Sequence, residues 1–345
     1  MLDLVEKQTR KIGKDIKQDF PIFSQLMNGK PLVYLDTAAS AQKPSQVIRA
    51  MQDVMENNYA NIHRGLYEYS QTTTALYEEA RNKIARFIGA KKADEIVFTK
   101  NTTESINLVA QSWGDANLKA GDAILLTEME HHANIVPWQM LAEKKGLNIK
   151  VIPVSGSGEL ILDDLETLLS DDVKLVSLVY VSNALGTINP VKDLISRVKS
   201  HNNEIRVLVD GTQAVVHKPV DISGDNDGID CDFFVFTGHK LYGPTGIGVL
   251  YAKSDILDGM PPFMGGGDMI ETVSFEGSTY KAPPARFEAG TPPILEAIGL
   301  AAAIDYVSVY GMNSIQEKEA DLLEKATHAI KDVPGLEFVG TADNK

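Results

Sequence analysis

Short continuous apolar runs alternate with amphipathic stretches over most of this chain. The runs predict strands at 95–99, 122–127, 149–154, 174–181, 205–210, 232–237 and 247–252. The stretch Leu175-Val176-Ser177-Leu178-Val179-Tyr180-Val181 shows no polar-out alternation. Such a run fits a strand covered on both faces, as in a mainly parallel sheet. Between the runs, apolar residues spaced by three and four predict helices at 103–112, 134–145, 161–170, 190–201 and 293–310. Upstream, 3–20 reads as an amphipathic helix, 32–35 as a short strand and 36–40 as a loop. Pro44 opens a helix to about 57, because its fixed φ suits a first helical turn. Helical spacing returns at 72–88. A helix at about 314–332, Pro334-Gly335 and a strand from Leu336 to Val339 close the chain. Strand–helix alternation of this kind gives an α/β fold with helices flanking the sheet. Three segments follow: a helical arm at 1–30, a large domain at 31–310, and 311–345 as the start of a small C-terminal domain. That last domain is expected to be incomplete, since a single terminal strand has nothing of its own to pair with.

Composition narrows the class without naming a function. The chain has 345 residues, 43% of them apolar and 23% charged, as in ordinary soluble domains. A net charge of −14 argues against non-specific nucleic-acid binding, which needs a basic surface. The N-terminus has no signal-peptide layout, and no stretch is apolar and long enough to span a bilayer. A soluble cytoplasmic protein is the expectation. One cysteine, Cys231, leaves no internal disulfide framework and no cysteine cluster for a metal.

The chemistry gathers at strand ends. Lys240 follows the apolar run Phe233–Phe236 inside Thr237-Gly238-His239-Lys240-Leu241-Tyr242-Gly243-Pro244. Asp210 ends another run, in Val207-Leu208-Val209-Asp210-Gly211-Thr212-Gln213. A strand-end lysine with a strand-end aspartate is the pair that pyridoxal phosphate chemistry needs. The amine condenses with the cofactor aldehyde, and the carboxylate keeps the pyridine nitrogen protonated so that the ring accepts electrons. Burial would lower the lysine pKa and free its amine. Thr102-Thr103-Glu104-Ser105 follows the strand ending at Thr99. It reads as a helix start, either a plain cap or a phosphate seat, and Lys240 and Asp210 favour the seat. His131 and His132 follow Glu130; no further ligands at metal spacing accompany them, and a flat imidazole over a pyridine ring suits the position better than a metal site. Gln213 is placed to donate to the ring hydroxyl oxygen, and Thr237 and His239 to reach the phosphate. Asn183, after the strand ending at Val181, could serve cofactor or substrate, or simply form the turn before Gly186.

Taken together, these segments resemble the class V aminotransferase group of fold-type I pyridoxal phosphate enzymes. More narrowly, the chain is similar to the group II cysteine desulfurases of the SUF iron–sulfur assembly system. The matching stretches are Leu35–Pro44, Asn61-Ile62-His63-Arg64-Gly65, Glu130–Trp138, Val209–Ala214, Thr237–Gly246 and Arg286–Pro292. The resemblance implies that Lys240 holds pyridoxal 5'-phosphate and moves the substrate α-proton. It implies that His131 stacks on the ring and relays protons, while Asp210 and Gln213 engage its polar edge. Thr103, Thr237 and His239 would bind the phosphate. Thr291 would reach the phosphate of a neighbouring subunit, which implies a homodimer. Asn183 would sit beside the substrate, with His63 and Arg64 at the site entrance. The implied reaction converts L-cysteine and an acceptor thiol to L-alanine and a persulfide, with a SUF sulfur-acceptor protein downstream. Family members continue beyond the last residue here, with a persulfide-forming cysteine and a carboxylate-gripping arginine that have no counterpart in this chain. Cys231, flanked by Asp230 and Asp232, reads as structural rather than nucleophilic. A selenocysteine lyase, another class V enzyme and a non-catalytic sulfur-transfer scaffold are the alternatives.

Overall fold

A computed structural model describes residues 10–225 and 228–345. Eleven strands occur among them: β1 Leu26–Met27, β2 Lys30–Pro31, β3 Ile96–Thr99, β4 Ala123–Thr127, β5 Asn148–Ile152, β6 Val173–Val179, β7 Arg206–Asp210, β8 Phe233–Thr237, β9 Gly248–Ala252, β10 Ile270–Val273 and β11 Ser278–Tyr280. Seven of these form one sheet in the order β3-β9-β8-β7-β6-β4-β5. The pairs β5–β4, β4–β6, β6–β7 and β7–β8 are parallel, and β9 alone runs against its neighbours β8 and β3. The mainly parallel sheet read from the continuous apolar runs is therefore present.

Those runs are continuous because both faces are covered. Phe98, Leu125, Val176, Val207, Val209, Phe234 and Phe236 enter one core, while Val97, Ile124, Leu126, Leu175, Leu208, Phe233 and Val235 enter another. Alternate side chains of a strand leave opposite faces, so two apolar cores demand an unbroken apolar strand. Each fully buried Phe or Leu contributes roughly 1.5–3 kcal/mol. The α-helices are α1 Ser45–Asp53, α2 Glu68–Ile88, α3 Thr102–Val109, α4 Asp115–Asn117, α5 Val136–Lys145, α6 Leu165–Leu168, α7 Val191–His201, α8 Ala214–His217, α9 Ser254–Gly259, α10 Ile294–Tyr310 and α11 Met312–Ile330. Helix α10 is apolar nearly all round and packs on α1 and α2. A helix of that kind must be buried.

Several sequence expectations need correction. The helix expected at 3–20 lies partly outside the described residues; from Lys14 to Asp19 the chain forms only a short 3₁₀ turn. No strand forms at 32–35, where Val33 and Leu35 are exposed and find no partner strand. The helix expected at 161–170 shrinks to the single turn of α6. Residues Leu336–Val339 are not a strand, in keeping with their lack of a partner edge. The β10–β11 hairpin has no buried residue and therefore no apolar strand signature in the sequence.

One buried ion pair ties the first long helix to the segment before α10. Arg81 forks onto Glu288 at 2.7 and 2.9 Å, and Glu288 also accepts the Phe98 N–H at 2.7 Å. The guanidinium lies 4.4 Å from the Phe98 ring centroid and 5.3 Å from that of Tyr77. Removing one member of such a pair leaves the other charge buried. Arg81→Met is therefore expected to cost about 3–5 kcal/mol in urea unfolding; a loss under about 1 kcal/mol, the range of an exposed pair, would show that water reaches Glu288.

Candidate active site

Ligands of parallel α/β sheets bind beyond the carboxyl ends of the strands. Here β3, β4, β6, β7 and β8 all end at one edge, and a cavity of about 500 Å³ opens there. Its walls include Thr103, His131, Asn183, Asp210, Gln213, Thr237, His239 and Lys240. Eight of the residues singled out from the sequence thus come together within one chain. His63, Arg64 and Thr291 do not. His63 pairs with Glu78 at 2.9 Å, Arg64 with Asp268 at 2.8 Å, and Thr291 is exposed at the turn before α10.

Asp210 is the most deeply set charge of this cavity. Its side chain accepts the Thr212 N–H at 2.9 Å and is buried. Burial pushes its pKa up; the Thr212 hydrogen bonds, His131 and Lys240 pull it back. Burial holds Lys240 below the ordinary lysine value, against the pull of Asp210. The lysine loop, 238–247, is a hairpin connection between β8 and β9, closed where the Gly238 N–H donates to Ile247 O at 2.9 Å. Within it Tyr242 takes a left-handed φ of 57°, an uncommon conformation for a side chain of that size.

Above these charges sits His131. Its Nδ1 accepts the Ala133 N–H at 3.1 Å, so the neutral ring carries its proton on Nε2. Burial also lowers its pKa, which favours the neutral form. The adjacent His132 is exposed and does not line this cavity, although its ring centroid lies 5.7 Å from that of His131.

On the opposite side α3 starts with Asn101 as its cap, whose side chain accepts the Glu104 N–H at 2.9 Å. Thr102 and Thr103 occupy the first turn, where free N–H groups and the helix dipole favour an anion. The Thr102 hydroxyl meets that of Thr212 at 2.7 Å, joining this turn to the loop after β7. The approach depends on Gly248: a Cβ there would lie 2.5 Å from the Asn101 Cα and carbonyl carbon. His239 Nδ1 lies 3.2 Å from Ser40 Oγ, and the Thr237 hydroxyl donates to Ile247 O at 3.3 Å.

Sequence reasoning missed the loop that roofs this edge. Gln213 Nε2 donates to Ala38 O at 3.0 Å and retains a second N–H for a ligand. Lys43 Nζ donates to Ala41 O at 2.5 Å and His239 O at 3.0 Å, while the Ala41 N–H donates to His239 O at 3.0 Å. Burial brings the Lys43 pKa down to about 8. Lys43 stood inside a recognisable motif, yet its target is nearly two hundred residues away, and no local pattern reports that.

The donor set fits pyridoxal phosphate: an amine for its aldehyde, a buried carboxylate for its ring nitrogen, an amide for its ring oxygen, and a helix start with hydroxyls for its phosphate. If the helix start is the phosphate seat, crowding it weakens binding. Gly248→Ala is expected to lower pyridoxal phosphate affinity by about tenfold, ~1.4 kcal/mol; unchanged affinity in an equilibrium titration would place the phosphate elsewhere.

Comparison with known proteins agrees with this geometry. The family described as Aminotransferase class-V matches residues 33–345. A cysteine desulfurase of Enterobacter sp. (strain 638) is 52% identical over 326 residues, covering 94% of this chain and 79% of that protein. The apo structure of a cysteine desulfurase from Thermococcus onnurineus NA1 superposes with a TM-score of 0.87 at 40% identity, over 94% of this chain and 78% of that one. The cysteine desulfurase CsdA from Escherichia coli gives a TM-score of 0.84 at 38% identity, over 93% and 78%. Fold, site and sequence agree: the chain belongs to the class V aminotransferase family.

Proposed function

We propose that this protein is a pyridoxal phosphate-dependent cysteine desulfurase that passes sulfur, as a persulfide, towards iron–sulfur cluster assembly of the SUF type. The observation that carries the reading is the shared cavity of Lys240, Asp210, His131 and Gln213 at the carboxyl edge of the sheet. Relatives about half identical over 94% of the chain are cysteine desulfurases.

When bound, pyridoxal phosphate supplies an aldehyde for attachment and a ring that takes up the electrons of a broken Cα–H bond. The chain's own groups do the rest. Lys240 would hold the aldehyde, and its unprotonated Nζ would take up the substrate α-proton. Asp210 would pair with the ring nitrogen. His131 would adjoin the ring, with Nε2 available to carry protons. Thr103, Thr237 and His239 would hold the phosphate, and Asn183 would adjoin the substrate. An acceptor thiolate takes the substrate sulfur, giving a persulfide and, after protonation at Cβ, alanine. That thiol is not Cys231. Its side chain is fully buried in the larger core, and burial together with Asp232 pushes its pKa up. Persulfide transfer needs free thiols, which a reducing cytoplasm maintains.

A homodimer is part of this reading. Thr291, His63 and Arg64 lie outside their own cavity, where a second subunit could use them. Leu35 and Leu66 are each more than nine-tenths exposed and Phe275 is fully so, which suits a subunit contact. The division into an arm at 1–30, a large domain at 31–310 and a smaller C-terminal unit from 311 belongs to the same proposal.

Adding pyridoxal phosphate is expected to give a yellow visible band that moves on adding L-cysteine and is absent in Lys240→Ala. A band that survives in Lys240→Ala would sink the assignment of the lysine. Attachment needs the unprotonated amine, so band formation should rise with pH to a midpoint below about 10.4, the ordinary lysine value; a midpoint at or above that value would mean that Lys240 is not desolvated. Cys231→Ser is expected to leave the spectrum and alanine formation with an added thiol unchanged. Sustained alanine formation abolished by Cys231→Ser would make that thiol the nucleophile after all.

A further inference from the structure

Glu130 is absent from the chemistry above, yet it is one of the few carboxyls buried in the molecule, at 8% exposure. Its side chain joins three elements. Oε1 accepts the Val179 N–H from the end of β6 at 2.8 Å and the Thr127 hydroxyl from the end of β4 at 2.5 Å. Oε2 accepts the Asn134 amide at 2.7 Å. Asn134 closes the short turn that begins at His131, and its N–H donates back to His131 O at 2.7 Å.

Two of these donors cannot reverse. The Val179 N–H is backbone. The Asn134 amide is locked because its Oδ1 accepts the Trp138 indole N–H at 2.9 Å and the Ser177 hydroxyl at 2.6 Å, which leaves Nδ2 to face Glu130. Both carboxyl oxygens must therefore accept an N–H, whichever protonation state the group holds. A glutamine supplies only one acceptor oxygen. It would leave one buried N–H facing another, at the point where the His131 turn is tied to the sheet.

Val179 is also the residue paired with Asp210 across β6 and β7. The same carboxyl thus anchors the His131 turn to the strand that registers the pyridine-binding aspartate. We propose that Glu130 is the positioning residue of the site, holding the His131 imidazole in register with Asp210 through its two fixed N–H contacts. The proposal deepens the cofactor reading and rests on it for the role of His131.

The test is ¹⁵N-histidine NMR of Glu130→Gln without cofactor, beside an equilibrium titration with pyridoxal phosphate. The His131 signal is assigned by its loss in His131→Ala. Wild type should show the single tautomer protonated on Nε2. In folded Glu130→Gln that signal is expected to split or shift towards a tautomer mixture, with pyridoxal phosphate affinity down by about tenfold. A folded variant with lower thermal stability but an unchanged tautomer and affinity would overturn the proposal, because it would make Glu130 structural only. If Glu130→Gln does not fold, Asn134→Ala removes one of the two fixed N–H contacts to the same carboxyl and should show the same shift more weakly; no shift there overturns it equally. Wild type that fails to bind pyridoxal phosphate would sink the cofactor reading while leaving the tautomer result to stand by itself.

Discussion

A carboxylate sealed at the end of a central strand, facing an amine from the next loop, is the constraint around which this molecule is arranged. Asp210 is buried on β7, in the middle of the sheet, where a lone charge would be very costly. What surrounds it supplies the compensation: a backbone N–H at Thr212, the neighbouring lysine, and the imidazole over the cavity. Lys240 is held in turn by a loop pinned at both ends between antiparallel strands. Each group shifts the other's proton affinity, and neither strand could be relocated without undoing the pair.

The polar residues around that pair are satisfied by parts of the chain far away in sequence. Thr102 reaches Thr212, Gln213 reaches Ala38, Lys43 and Ser40 reach His239. The cavity wall is thus a set of cross-links between loops, each loop rooted in a rigid strand end. Precision at the site follows from the stiffness of the two cores beneath it.

How much of this could be read from the chain divides along physical lines. The seven sheet strands were legible to within a residue or two, because burial on both faces leaves an unbroken apolar signature. Lys240, Asp210, His131 and Gln213 were legible because strand ends declare themselves where apolar runs stop. Elements without a buried face were not. The strand expected at 32–35 and the helix expected at 161–170 show apolar residues whose partners local periodicity does not specify. Glu130 stood next to His131 in the sequence, but its role depends on Val179 and Asn134 together, and on an amide whose orientation Trp138 fixes. Contacts between distant segments have no local sequence signal.

The one strand that runs against the others in the seven-stranded sheet has a consequence for how such a chain can vary. Because β9 returns beside β8, the segment 238–247 is clamped by the sheet pair Thr237–Gly248. Inserting or deleting one residue there would rotate or displace the amine relative to Asp210, and Gly248 leaves no room for a Cβ against Asn101. A change of length would disturb the site least where no strand pair closes the loop, as on the stretch Ser223–Asp225. The hairpin acts as a ruler that fixes the spacing of the chemistry.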